Sequence, residues 1–377
     1  MNAAAIIFTI SSLLALYVLA VYPLLLALLA RFFGKPVLKR DIPESVSVII
    51  AVRNGDRWLS QKLDSVLALD YPREKMEIIV VSDGSTDRTE EIARAFSQRG
   101  VRLLVVPPGG KPAALNAAVP HATGELLFLT DVRQILDPAC LKHLVARMAD
   151  PAIGVVSGNL KILRGTSVEE DSTGLYWRYE NSIRHNLACL DSMLGATGPV
   201  YLLRRRLFVP IPPDCLLDDM FLPLSIHLAG YRLALEEEAI AIDEPTLLAS
   251  EFRRKVRTQA GNLQLLVLLP GLFSRRNRMR FHYVSLKIGR LLLPWSMLAA
   301  LVSSLALPGI WRVAAVPQIL FWVLAWADGL FPPASSARRL TGPARTFAVL
   351  LFSAVAALRI VVSPARNLWV ETRVQPR

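Results

Sequence analysis

A chain of 377 residues that is 53% hydrophobic and 20% charged, with positive mean hydropathy, is too apolar for an ordinary soluble domain and too charged for a pure membrane bundle. One soluble domain joined to membrane segments fits both figures. The net charge of +12 raises nucleic acid as a partner, but no basic–aromatic motif of that kind is present, so the basic residues point instead to anionic headgroups and nucleotide diphosphates.

Residues 1–30 carry no charge. As a helix, Ala3 to Ala30 would span about 42 Å, enough to cross a bilayer with tilt, and Pro23 is a potential kink. A cleaved signal peptide is disfavoured, because the run is too long and lacks a basic start. Arg31, Lys35, Lys39 and Arg40 follow, which by the positive-inside rule puts the amino terminus outside.

Residues 41–245 read as a soluble α/β domain. Strand-like runs recur at Val46–Val52, Ile78–Val81, Val101–Val106 and Glu125–Leu129, separated by helical stretches at βαβ spacing. Polar loops follow the first two strands: Arg53-Asn54-Gly55-Asp56, then Ser82 to Asp87, in which Gly84 is free to take positive φ. Such loops, at the carboxyl ends of parallel strands, are where open α/β sheets bind ligands, and Asp83 falls there. Gly109-Gly110-Lys111-Pro112 opens a helix; a glycine-rich loop with a lysine suits phosphate, although it is not a Walker sequence. The strand ELLFLT ends in Asp131-Val132-Arg133, and Asp137-Pro138 looks like a helix start. From Gly158 the sheet pattern breaks. Tyr176-Trp177-Arg178-Tyr179-Glu180 precedes Gly195-Ala196-Thr197-Gly198-Pro199-Val200-Tyr201, whose glycines signal close backbone approach. Asp218-Asp219 then stands before a helix from Met220 to Ala229, as a cap or as paired carboxylates, and Arg253 to Arg257 is a basic run.

Together SVSVIIAVRNGDRWLSQKLDSVLALDYP and EIIVVSDGSTDRTEEIA closely resemble the opening of membrane-bound family 2 glycosyltransferases with the GT-A fold, the group of the polysaccharide, hyaluronan, chitooligosaccharide and cellulose synthase-type enzymes. The likeness extends over most of the chain. It implies a Rossmann-like, mostly parallel sheet with helices on both faces, plus transmembrane and interfacial helices. It implies that Asp83 holds the base of a nucleotide, aided by backbone near Arg53, Asn54 and Gly55, and that Lys111 lies near the donor. Asp131 matches the first carboxylate of the family's Asp-x-Asp, which holds Mg²⁺ or Mn²⁺ against the donor phosphates. Arg133 replaces the second, so either Asp131 alone serves the ion or Arg133 meets the phosphates directly. Gly195, Ala196, Gly198 and Tyr201 match a loop that approaches the acceptor. Asp219 matches the catalytic base, with Asp218 beside it to raise its pKa. Arg257 matches the arginine of the synthases' Gln-x-x-Arg-Trp, implying diphosphate binding; Arg254 and Thr258 replace the glutamine and tryptophan, which argues against processive polymerisation.

The basic segment 246–285 contains Gly261 to Leu272, a candidate interfacial helix. Residues 286–363 hold apolar stretches at Leu291–Ile310 and Val313–Leu330, joined by a hairpin at Pro308-Gly309, and a last one, Thr346–Leu358, set between Arg345 and Arg359. At about 20 Å this last stretch is too short to cross. With the basic tail 364–377, whose NLWVETR resembles the cytoplasmic end of related synthases, this predicts three full spans. The expectation is an inner-membrane, multi-pass, inverting glycosyltransferase with its catalytic domain in the cytoplasm. It would move a sugar from a nucleotide-diphospho-sugar, most simply UDP-linked, to a membrane-lipid, lipid-linked or polysaccharide acceptor. The alternatives are a processive synthase that exports its polymer and a non-catalytic glycosyltransferase-like subunit of an assembly complex.

Overall fold

A computed structural model describes residues 2–162, 168–244, 248–332 and 335–368; most of the basic tail lies outside these. Eight strands form one mixed sheet in the order β3-β2-β1-β4-β7-β6-β8-β5. β1 (Val46–Val52), β2 (Met76–Asp83), β3 (Val101–Val106) and β4 (Leu126–Leu129) are mutually parallel, with Val46 opposite both Met76 and Leu126. β5 is only Ile135–Leu136. β6 (Ile153–Ile162), β7 (Tyr201–Arg204) and β8 (Arg232–Asp243) complete the sheet, β7 running antiparallel to both β4 and β6. The sheet therefore continues past Gly158, where the sequence pattern pointed to a break: Gly158 sits inside β6, and a side chain on it would strike the Ala239 carbonyl of β8.

Both faces of β1, β2 and β4 are covered, which is why Ile78–Val81 and Leu126–Leu129 read as unbroken apolar runs. Val48, Ile50, Ile78, Val80 and Phe128 point to one core, closed by the helix Asp56–Leu67 through Leu59, Leu63 and Val66 at helical spacing. Ile49, Ile79, Val81, Leu127 and Leu129 point to the other. That second core includes Tyr22, Leu26, Tyr283 and Leu286, so the sheet's layer packs directly onto the apolar helices at the two ends of the chain. Each fully buried leucine or isoleucine contributes roughly 1.5–3 kcal/mol.

Four helices are long and apolar enough to cross a membrane: Ala3–Phe33, Arg280–Ala306, Gly309–Leu330 and Arg338–Val361. The first is interrupted by a π turn, Tyr17–Val21, just before Pro23, whose missing N–H and ring disturb the preceding turn. The fourth is longer than the stretch Thr346–Leu358 marked out by the sequence pattern. Arg345 does not bound it; the arginine is paired to the buried Asp328 at 2.9 Å, and Thr341 donates to the same carboxylate. With that charge neutralised, the helix starts at Arg338 and runs 24 residues, about 36 Å. Leu351 packs with Val18 and Leu293 from two other apolar helices. The segment beginning at Gly261 is not a separate short helix either: it is the second half of the helix Leu248–Leu268, with Ala260 and Leu265 fully buried.

Candidate active site

The parallel strands end on one edge, and their following loops collect there. Asn54 takes a left-handed conformation (φ 51°), tolerable for asparagine, and its Oδ1 accepts from the Thr86 amide at 2.8 Å. The Gly55 and Asp56 amides donate to Thr89 and Asp87, so the loops after β1 and β2 are fastened together. Arg53 stands exposed at the end of β1. Asp83 is buried, and its carboxylate accepts from the Gly109 amide at 2.7 Å and from the Gly110 amide at 2.9 and 3.1 Å. It thus anchors the start of the helix Gly110–Ala118.

That anchor aims Lys111. Its Nζ lies 2.8 Å from Asp131 Oδ1 and 3.0 Å from Asp218 Oδ2. Burial would lower the pKa of Lys111, but Asp131 and then Asp218 outweigh burial and hold it well above the usual lysine value. Burial likewise pushes the pKa of Asp131 up, but Lys111, with Lys62 and Arg133, more than reverses this and holds it below the ordinary carboxylate value. Asp219 is different. Burial, and then the neighbouring Asp218, push its pKa up to about 6. Arg257 faces Asp219, Asp218 and Asp131 from the helix Leu248–Leu268; burial lowers its pKa against the pull of these carboxylates.

The aspartate pair opens the helix Asp218–Leu228, and Pro223 within it decides what backs Asp219. Proline has no N–H to give the carbonyl four residues earlier. That carbonyl belongs to Asp219, and the Ala196 amide takes it at 2.8 Å. The close approach signalled by the glycines is to this helix. A side chain on Gly198 would come 2.9 Å from Asp219 Oδ2, and one on Gly195 (φ +134°) 2.8 Å from Met220 Cγ. Gly195, Ala196 and Gly198 therefore form the bed of Asp219. Tyr201 is wholly buried in β7, beyond direct reach of an acceptor; its neighbours are the charged groups Asp218, Lys111, Asp219 and Asp131.

Arg133 also departs from its expected place. Its guanidinium pairs with the buried Asp243 at 2.6 Å, and Gln134 donates to the same oxygen at 3.0 Å. The Asp-x-Asp position thus presents one carboxylate, Asp131, already holding an ammonium. Among the described residues no group of three His, Cys, Asp or Glu side chains converges for a metal ion. This donor set does not fit a divalent cation held by the protein's own side chains.

Residues 47–209 match the family described as Glycosyl transferase family 2. They are a family 2 glycosyltransferase domain. The Staphylococcus aureus poly-beta-1,6-N-acetyl-D-glucosamine synthase is 27% identical over 255 residues, 66% of this chain and 61% of the relative. The probable glycosyltransferase YdaM of Bacillus subtilis is 23% identical over 258 residues, 64% of this chain and 60% of that one. The chain spans about three fifths of the length of the curated relatives it matches. In fold it is similar to the mannosyltransferase PcManGT of Pyrobaculum calidifontis, solved with GDP-Man and Mn²⁺, at TM-score 0.72 and 22% identity, over 94% of this chain and 99% of that one. The domain also contains residues that sequence reasoning passed over. Lys62, wholly buried, donates to Thr130 Oγ1 and to the Gln134 carbonyl, both at 2.7 Å, bracing the loop that carries Asp131. Burial pushes its pKa down to about 7. Its position among Leu59, Leu63 and Val66, on the apolar side of its helix, was the available signal. Arg184, one turn after Glu180, was another: it donates to Thr197 in the loop behind Asp219.

Proposed function

We propose that the soluble domain, residues 41–245, carries out inverting sugar transfer from a UDP-linked sugar to a hydroxyl of a membrane-borne acceptor, with Asp219 as the base. One observation supports this above the rest. Of the aspartates gathered at the strand ends, Asp219 is the one with a pKa raised toward neutrality, while Asp131 and Asp218 are committed to Lys111. A sugar hydroxyl is a weak nucleophile. Asp219 takes its proton as the oxygen bonds to C1 of the donor; the C1–O bond to phosphate breaks, and the nucleotide diphosphate leaves with the electron pair. Lys111 and Arg257 meet the charge that develops on the diphosphate. Because Asp131 is the single carboxylate at its position, no step is assigned to a divalent ion. Asp83 acts by fixing the Gly109-Gly110 loop and so aiming Lys111, and Arg53 and Asn54 border the space for the nucleoside.

The apolar helices support a membrane setting for this chemistry. Arg31, Lys35, Lys39 and Arg40 directly after the first helix favour a cytoplasmic catalytic side in a multi-pass protein of the inner membrane. The test is nucleotide release by the purified full-length protein across UDP-N-acetylglucosamine, UDP-glucose and GDP-mannose, with membrane extract as acceptor source. We expect release from one UDP-sugar, dependent on extract. Nucleotide binding without release from any donor would favour the non-catalytic reading. A ladder of long products on a gel would favour the processive one, to which the Staphylococcus aureus relative's name lends weight.

A further inference from the structure

Thr197 stands between the two residues that touch Asp219 from behind. The Ala196 amide holds the Asp219 carbonyl at 2.8 Å, and Gly198 lies so close that a side chain on it would come 2.9 Å from Asp219 Oδ2. Whatever fixes Thr197 therefore fixes the seat of the base. Three groups converge on it. Its amide donates to Ser157 Oγ at 2.9 Å, its hydroxyl donates to the Gly158 carbonyl at 2.8 Å, and Arg184 Nη2 donates to that hydroxyl. Arg184 Nη2 also lies 3.4 Å from Ser157 Oγ. The register of β6 against β8 shifts between Ser157 and Asn159, an irregularity of the kind that re-aims a group beside a site.

Ser157 and Thr197 are buried, and β6 supplies two of these bonds. Arg184 comes from another element, the helix Val168–Leu190, so it ties the loop to that helix as well. A hydrogen bond from a charged donor is roughly twice as strong as a neutral one, which makes this the firmest of the three. Glu180, one turn earlier and paired with Arg290 at 2.8 Å, faces Arg184 and steadies its charge. Arg184 also faces Asp219. A cation facing a carboxylate favours its ionised form, and a base must be ionised to accept a proton. Among the described residues, the other charged and titratable groups about Asp219 are Asp218 on its own helix, Lys111 on the helix Gly110–Ala118, Asp131 after β4, Tyr201 in β7, Arg257 on the helix Leu248–Leu268 and Lys287 on the helix Arg280–Ala306.

We propose that Arg184 is a positioning residue for transfer: through Thr197 it fixes the loop that seats Asp219, and it presents its positive charge to that carboxylate. This rests on the reading of Asp219 as the base. The test follows nucleotide release by the purified full-length protein from UDP-N-acetylglucosamine or UDP-glucose, whichever supports release, with membrane extract as acceptor source. Arg184→Met, Arg184→Lys and Thr197→Val are compared with wild type and with Asp219→Asn, and UDP binding is measured separately. In Arg184→Met we expect kcat to fall on the order of 10- to 100-fold, with donor KM and UDP binding near wild type. The acid limb of its pH profile should move above the wild-type value of about 6, because the base loses a facing cation. Arg184→Lys, which keeps the charge, should bring the limb back. Thr197→Val keeps the side-chain shape and cuts the link, so kcat should fall about tenfold with the limb unmoved. An unmoved limb in Arg184→Met, or a wild-type kcat in Thr197→Val, would overturn the proposal, and Thr197→Val decides alone if Arg184→Met does not fold. No release by wild type, or wild-type release by Asp219→Asn, would instead strike at the reading of Asp219, and this proposal would fall with it.

Discussion

The two sides of the helix Asp218–Leu228 arrange charge differently. On the nucleotide side Lys111 stands between Asp131 and Asp218, each cation–carboxylate contact is 3.0 Å or shorter, and Arg133 is matched by Asp243 at 2.6 Å. On the membrane side Arg290 pairs with Glu180 at 2.8 Å, and Lys287 and Arg184 face both Glu180 and Asp219. A balanced side holds its shape without ligand and yields its cations to an incoming diphosphate. Asp219 lies between the two, and burial, then Asp218, raise its pKa to about 6.

The largest effect that would break this comparison is at Asp219. Asp219→Asn is expected to lower transfer by about 10²- to 10⁴-fold while leaving nucleotide binding near wild type. In the wild-type enzyme kcat/KM should fall as pH drops through about 6, because the base becomes protonated. The linkage has the reverse sign for stability. An acid whose pKa is raised by folding keeps its proton when the unfolded chain has lost it, so stability falls as pH rises from about 4 to about 6. The inactive Asn variant should therefore show a higher Tm than wild type at pH 7, read by thermal unfolding; a lower Tm would mean that Asp219 is held ionised by its surroundings.

Next in size is the Arg133–Asp243 pair. Arg133→Asp restores the family's aspartate but leaves Asp243 buried without its cation. Breaking such a pair costs about 3–5 kcal/mol, so we expect a marked loss in denaturant unfolding; an unchanged midpoint would mean the pair carries no load. Lys111→Met comes third, with UDP affinity falling on the order of 10- to 100-fold by calorimetry as one charge-assisted contact to the phosphates is lost. Excess chelator should change the transfer rate by less than about tenfold, because the charges meeting the diphosphate are side chains; complete loss would show that Asp131 and the nucleotide phosphates together hold a magnesium-type ion. The smallest change is expected for Pro223→Ala. It returns an N–H that competes with Ala196 for the Asp219 carbonyl, and transfer should fall about threefold, well inside the roughly 10²-fold that a misplaced catalytic group can cost, with Tm unchanged or raised.

Much of this was written in local chemistry. The strands Val46–Val52 and Val101–Val106 have the limits their β-branched apolar runs predicted, the first buried on both faces and the second at the sheet edge. The loops after β1, β2 and β4 fall at one edge because parallel strands must end together, so the gathering of Asn54, Asp83 and Asp131 there followed from order and type alone. Partners distant in the chain did not follow. Asp243 lies 110 residues from Arg133, Asp218 107 from Lys111, and Asp328 17 from Arg345, and no periodicity records such pairings. Each changed a reading. The first turned a phosphate ligand into a structural ion pair; the second left Asp219 as the carboxylate with a raised pKa; the third let a helix run through an arginine that would otherwise have ended it. Composition and hydrogen-bond propensity act along the chain and can be read there. Charge neutralisation acts through space, and only the tertiary structure decides which opposite charge arrives.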